Sequence, residues 1–169
     1  MSEKSGETTD SSTARQRHGP RVEVGLGVVV EDAAAGSTPR VLVTQRPAGT
    51  PYAGYWEFPG GKVEPGEAPA DCVVRELREE LGIEVSIEGE SEVIEHIYEH
   101  AWVCLRPYWC RRVAGSPRPL GVADWRWVQP AELPGLAMPE GNAELVNAVR
   151  RRLEPKPDSG GEAGKEVVS

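Results

Sequence analysis

Residues Arg75–Gly82 read RELREELG, with two leucines four positions apart and three glutamates. At 100° per residue, Glu76, Glu79 and Glu80 fall within roughly a third of a helix circumference. With Glu76 at 0°, Glu79 lies near 300° and Glu80 near 40°, while Val73, Val74, Leu77 and Leu81 occupy about 60° to 160°. The acidic stripe therefore borders the buried stripe. Like charges three and four positions apart repel by a few tenths of a kcal/mol per pair, and desolvation at the rim of a core adds to that penalty. A divalent cation reverses the sign, because Mg²⁺ binds through one or two carboxylates plus water and substrate phosphates. A merely solvated acidic face is the competing reading.

The preceding stretch, GGKVEPGE at 60–67, sharpens the choice. Gly60 and Gly61 permit close backbone approach, Lys62 adds a cation, and Glu67 is a fourth acid placed to fold back on the helix. A glycine-rich turn with an acid favourable to the helix dipole explains Glu67 alone, not four acids beside a Gly-Gly pair. The helix itself is expected over Ala70–Leu81, stopped by Gly82.

Further out, RVEVGLGVVVE (21–31) alternates: Val22, Val24, Leu26, Val28 and Val30 point one way, Glu23, Gly25, Gly27 and Glu31 the other. This predicts a strand with one buried face. The two glycines leave room for a ligand, a bulge or a close-packed neighbour. Strands are also expected at 40–46, 55–58, 83–89, 91–100, 101–113 and 124–128, a helical turn at 130–133, and a last helix at 143–153 where Leu145, Val149 and Leu153 recur. Strands first, one helix in the middle and one at the end predict a mixed α/β (α+β) sandwich with a mixed sheet. Residues 1–20 and 154–169 are poor in large apolar residues and are expected to be disordered tails around one domain at 21–153.

The 169-residue chain carries a formal charge of −8, which disfavours nucleic acid and anionic membrane as partners. Its N-terminal segment lacks the apolar core of a signal peptide, and its longest apolar run, VGLGVVV, is too short to span a bilayer. Three cysteines without disulfide spacing suit the cytoplasm. His96, His100, Cys104 and Cys110 are poorly spaced for zinc: on extended strands the cysteines stand roughly 20 Å apart. Trp102, Trp109, Trp125 and Trp127 are expected in the core.

Gly61, five residues, Glu67, seven residues, then Arg75-Glu76-Leu77-Arg78-Glu79-Glu80-Leu81-Gly82-Ile83 resembles the Nudix box at each of seven fixed and two aliphatic positions. A chance match at a given start is on the order of 10⁻⁸. YWEFPGGKVEPGE, VLVTQRP, DWRWV, PAEL and MPEGN resemble the MutT-like branch, whose members cleave oxidised nucleoside triphosphates. The resemblance covers about residues 21–153, more weakly from 85 to 120. It implies a Nudix α/β/α sandwich whose loop–helix–loop holds Mg²⁺, or Mn²⁺, against a pyrophosphate.

Position by position, the resemblance implies metal-binding roles for Glu76, Glu79 and Glu80, a carbonyl ligand from Gly61 and support from Glu67. Arg75 and Gly82 become structural members of the motif. Arg46 and Lys62 meet phosphate oxygens, and a carboxylate, Glu76 before Glu79, deprotonates the attacking water. Phe58 and Asn142 match purine-contacting positions. Phe58 is equally readable as core, and Asn142 as the N-cap of the last helix. Two departures stand out. Gly141 replaces an alanine usual before the asparagine, and the loop 115–124 has Leu120, with Asp124 nearby, where a further metal carboxylate is expected. The implied function is a Mg²⁺-dependent nucleoside triphosphate pyrophosphohydrolase acting on a small-molecule nucleotide such as 8-oxo-dGTP, as a monomer or homodimer. The alternatives are a hydrolase of ADP-ribose, a nucleotide sugar or a dinucleotide, and a non-catalytic nucleotide-binding module. The intact box glutamates argue against the last.

Overall fold

A computed structural model describes residues 19–155. The expected tails fall almost entirely outside them. Among the described residues no helix is long and apolar enough to cross a membrane.

The alternating segment forms β1, Arg21–Glu31, the spine of a mixed sheet. Along one edge it runs parallel to β7, Ala101–Ala114, from Arg21 opposite Trp102 to Val30 opposite Arg111. Its other edge is shared. β4, Gly60–Lys62, pairs with the first half of β1 through Gly25 and Gly61, and β2, Arg40–Gln45, pairs with its end through Val30 and Val41. β2 is flanked in turn by β3, Trp56–Glu57, and β8, Asp124–Val128. On the far side, β6, Ile94–Tyr98, and β5, Glu84–Glu90, divide the outer edge of β7. Only the β1–β7 contact is parallel, which agrees with the expected mixed sheet.

The short strand β4 is not among the strands that the sequence predicts. Glycine makes it a strand: a Cβ on Gly60, whose φ is +154°, would lie 2.0 Å from the Gly25 carbonyl oxygen. No other residue brings the two backbones this close.

Two helices cover the two faces. α1, Pro69–Leu81, begins one residue earlier than expected, because proline is well suited to the first helical turn. It ends at Gly82, whose left-handed backbone (φ 67°) lets its amide donate to the Arg78 carbonyl. α1 buries Val73, Leu77 and Leu81 with Val29, Leu42, Ile83, Tyr108 and Cys110. α2, Ala143–Leu153, buries Leu145, Val146 and Val149 on the other face with Leu26, Val28, Val41, Phe58, Leu105 and Trp109. The middle of β1 is thus buried on both faces rather than one: Val28 and Val29 are both fully buried, on opposite sides. The glycine face is the one against α1. A Cβ at Gly27 would stand 3.1 Å from Leu77 Cδ1, and one at Gly25 2.9 Å from the Pro69 carbonyl. Of the three readings of those glycines, the close-packed neighbour is the observed one.

Trp109 belongs to the core, and Trp125 and Trp127 pack partly buried against it. Trp102 departs from expectation: it lies outside both core clusters, under Arg21, and its Nε1–H donates to Glu95 at 3.3 Å.

Gly25→Ala must displace the start of α1, since the atom it meets is backbone. It is expected to destabilise the fold by about 1–3 kcal/mol, read as a lower urea midpoint at unchanged slope.

Candidate active site

The box helix stands over β4 so that Glu76 rests on Gly61: a Cβ there would lie 2.4 Å from the Glu76 carboxylate. Gly61 gives the site the space of its missing side chain, and its carbonyl, which accepts a contact from the Cys72 thiol at 3.3 Å, keeps a second lone pair. Arg75 organises the acids around it. Its Nε and Nη2 donate to Glu67 at 2.7 and 3.0 Å, and its Nη1 donates to Glu76 at 2.9 Å and Glu79 at 3.2 Å. The guanidinium, with a hydrogen bond inside the 64–67 turn, holds the Glu67 carboxyl at about 2, far below the usual carboxylate range. Arg75 itself is pushed above its ordinary value by the same partners.

The three box glutamates do not share one environment. The side chain of Glu79 is 59% exposed and that of Glu76 only 16%. Glu80 turns inward. Burial, then the charges of Glu76 and Glu57, push its pKa up to about 8, against a weaker opposing hydrogen bond from Gly60 and the charge of Arg46. Glu80 Oε2 is buried and without a hydrogen-bond partner.

Glu57 is the carboxylate that sequence reasoning missed. It lies between the buried aromatics Trp56 and Phe58, and β-strand alternation turns it away from them. Arg46 Nη1 donates to both its oxygens, at 3.0 and 2.8 Å, while Arg46 Nε donates to the Pro51 carbonyl at 2.6 Å. Burial raises the Glu57 carboxyl, and Arg46 opposes that rise.

Beyond this pair opens a cavity of about 480 Å³, within the range of small-molecule sites. Val24, Leu26, Val103 and Leu105 form its apolar floor, with Arg46, Glu57, Tyr52, Tyr98 and Asn142 around it. Tyr52 is held at φ +58°, a conformation that non-glycine residues seldom adopt. Asn142 is 6% exposed, makes no N-cap hydrogen bond to α2, and leaves Oδ1 buried and unpartnered. Its amide nitrogen reaches only the Pro139 carbonyl, at 3.5 Å. The N-cap role open to it in the sequence is therefore not the one it plays.

Phe58 is fully buried in the core against α2 and is not among the side chains lining this cavity, so it has no free surface for a base. Lys62 is exposed at the end of β4. In the 115–124 loop, Leu120 is exposed and Asp124 opens β8, its Oδ1 accepting from the Trp125 amide. Leu120 has no acid to offer, and Asp124 is exposed at the start of the strand. The loop instead caps α1: the amides of Leu120 and Gly121 donate to the Glu80 carbonyl at 3.0 and 3.1 Å, and that of Arg118 to the Leu81 carbonyl at 2.9 Å.

Among the described residues no three acidic, histidine or cysteine side chains already converge as a preformed metal cluster. The donors nonetheless fit a hard divalent cation. Glu80 offers an orphaned oxygen, Glu76 stands beside it on a glycine surface, and the mutual repulsion that raises Glu80 is what a cation removes.

The NUDIX domain model matches residues 33–148. A CTP pyrophosphohydrolase of Escherichia coli (strain K12) is 51% identical over 71 residues, which cover 37% of this chain and 51% of the relative, so the chain spans about half the length of that protein. An 8-oxo-dGTP diphosphatase of Haemophilus influenzae is 33% identical over 109 residues, covering 64% of this chain and 79% of the relative. The solution structure of the E. coli ORF135 protein superposes with a TM-score of 0.65 at 28% identity, covering 78% of this chain and 89% of that one. With its box, its sandwich and a family match over more than half its length, the chain belongs to the NUDIX domain family.

The shifted carboxyls give two pH windows. Between about 4.5 and 8 the folded protein holds a proton on Glu80 that the unfolded chain releases, so metal-free stability falls as pH rises through that range. Glu67 acts oppositely, and its contribution is lost as pH falls from about 4.5 towards 2. In EDTA, Glu80→Gln is expected to flatten the upper window, raising stability at pH 8 by about 1–3 kcal/mol. Urea denaturation across pH measures both.

Proposed function

We propose that the chain hydrolyses nucleoside triphosphates to a monophosphate and pyrophosphate, with an oxidised guanine nucleotide such as 8-oxo-dGTP as its favoured substrate. The observation that carries this reading is the placement of two orphaned buried atoms. Asn142, whose Oδ1 has no partner, lines the cavity, Glu80 Oε2 belongs to the acid cluster, and the Arg46–Glu57 pair lies between cavity and cluster. A buried polar atom without a partner is unfavourable until a ligand satisfies it. The cavity accommodates a nucleoside, and the asparagine amide pairs bidentately with a purine edge that offers one donor and one acceptor. A triphosphate seated there extends past Arg46 towards Glu76 and Glu80.

Glu76, Glu79 and Glu80, with the Gly61 carbonyl, would hold Mg²⁺ or Mn²⁺, and Glu67 supports them through Arg75, which it shares with Glu76 and Glu79. The bound cation supplies charge neutralisation on the phosphates and acidifies water. Glu76, the less exposed of the two Arg75-bound helix carboxylates, is assigned the proton from water, with Glu79 as the alternative base. Arg46 and Lys62 meet phosphate oxygens, Arg46 sharing its guanidinium with Glu57. The protein acts in the cytoplasm as a monomer or homodimer, with the nucleotide as its partner.

A second reading, cytidine triphosphate as substrate, is favoured by the 51% identity to the CTP pyrophosphohydrolase. Cytosine's exocyclic amine is a donor that the Asn142 oxygen can also take.

One assay separates the readings: kcat/KM with Mg²⁺ for normal and oxidised dNTPs, CTP, ADP-ribose, a nucleotide sugar and a dinucleotide. A preference outside the triphosphates overturns the proposal, and a preference for CTP selects the second reading. Glu79→Gln and Glu76→Gln are each expected to lower kcat by about 10²-fold or more. Because Glu79 is largely exposed, its replacement should leave stability within about 0.5 kcal/mol, so full activity in both variants would place the chemistry elsewhere.

A further inference from the structure

Asn142 sits at the end of a one-turn 3-10 segment, Glu140–Asn142, that runs into α2. Its own side chain does nothing to fix that segment, as its amide makes one long contact with Pro139. The fixing comes from β6, far away in sequence. Tyr98 Oη accepts a hydrogen bond from the Gly141 amide at 3.0 Å, and the Tyr98 ring packs edge-on against His96, centroids 4.4 Å apart. His96 Nε2 lies 3.8 Å from Glu140 Oε2. Gly141 leaves no spare room: a Cβ there would lie 2.6 Å from Tyr98 Oη and 3.3 Å from His96 Cβ. Tyr98 also lines the cavity, with Tyr52 across it at a centroid distance of 6.1 Å.

We infer that Tyr98 is a positioning residue for base recognition. Its hydroxyl pins the backbone of the residue before Asn142 and so holds the asparagine amide in register with the cavity, and Gly141 is glycine because any side chain would occupy the hydroxyl's place. The departure Gly141 and the tyrosine at 98 are then one device, two halves of a contact spanning 43 residues of sequence. Tyr98→Phe removes only the anchor. It frees the turn to move by fractions of an ångström, enough to weaken a hydrogen bond whose strength depends on distance and angle. The ligand class is a base presenting a hydrogen-bond donor to the Asn142 oxygen, and this part of the inference rests on the nucleotide reading above.

The test is equilibrium binding of nucleoside monophosphates (8-oxo-dGMP, dGMP, dCMP, dTMP) to the full chain, with near-ultraviolet circular dichroism to verify folding. In Tyr98→Phe, the affinity ratio between the preferred base and the others is expected to fall roughly five- to tenfold, as for loss of one hydrogen bond. The loss should fall on Kd and KM rather than kcat. Gly141→Ala should lower the ratio at least as far, and the double variant Tyr98→Phe/Gly141→Ala should recover part of it, because the phenyl ring vacates the space the new Cβ needs. In an Asn142→Ala background, Tyr98→Phe should add nothing to the loss of discrimination. If Asn142→Ala abolishes discrimination while Tyr98→Phe preserves it, Tyr98 is only a wall and the inference fails, with the substrate reading intact. If Asn142→Ala preserves discrimination, the anchor has nothing to position and the inference fails as well. If the monophosphates are discriminated as described but no triphosphate is hydrolysed, the proposed function fails and the role of Tyr98 stands. Should Gly141→Ala not fold, the Tyr98–Asn142 cycle alone decides.

Discussion

The close approach of α1 to β1 over Gly25 and Gly27 is the constraint on which the rest of the molecule depends. Here Val73 and Leu77 fill the space that two missing side chains leave, and the Pro69 carbonyl lies next to Gly25. That closeness brings the carboxylate edge of the helix to the height of β4, so Glu76 reaches Gly61 and Glu80 reaches Gly60 and Glu57. The glycines of β1 do no chemistry, yet the acid cluster exists at their distance.

Charge is then distributed by one guanidinium. Arg75 takes Glu67, Glu76 and Glu79, and leaves Glu80 to face Glu57 and Glu76 without a cation of its own beyond the Arg46 already committed to Glu57. The result is a graded cluster. One acid is locked ionised by arginine, one is exposed, one is largely covered, and one is driven towards its neutral form by burial. A set of identical side chains acquires different chemistry from position alone.

The spacing of RELREELG placed the acids on the rim of the core, and this holds for Glu76 and Glu80, which lie nearest the buried stripe on the wheel. It describes Glu79 less well, because a position on the far side of the stripe turns to solvent with Arg75. The Gly82 stop, the last helix and the mixed sheet follow from local signals: a left-handed cap, a four-residue apolar repeat, and strands not alternating with helices. What local sequence could not carry was contact between distant segments. The pairing of β4 with β1, the Arg46–Glu57 pair and the Tyr98–Gly141 bond each join residues whose types say nothing of one another. Glu57 did leave a trace, as an acid between two core aromatics in a strand faces away from both. Phe58, by the same alternation, belongs to the core.

The loop 115–124 holds the end of α1 by backbone hydrogen bonds, with the side chains of Arg118 and Leu120 lying over Gly82. Three of its amides donate to the carbonyls of Glu80 and Leu81, and Leu120 keeps more than half its surface exposed. The hydrogen bonds that the loop gives to the Glu80 carbonyl come from amides and so need no particular side chain at position 120. Such a segment is free ground for sequence drift: an acid can be gained or lost at its tip, and the charge beside the helix terminus altered by one, while the scaffold beneath keeps its shape.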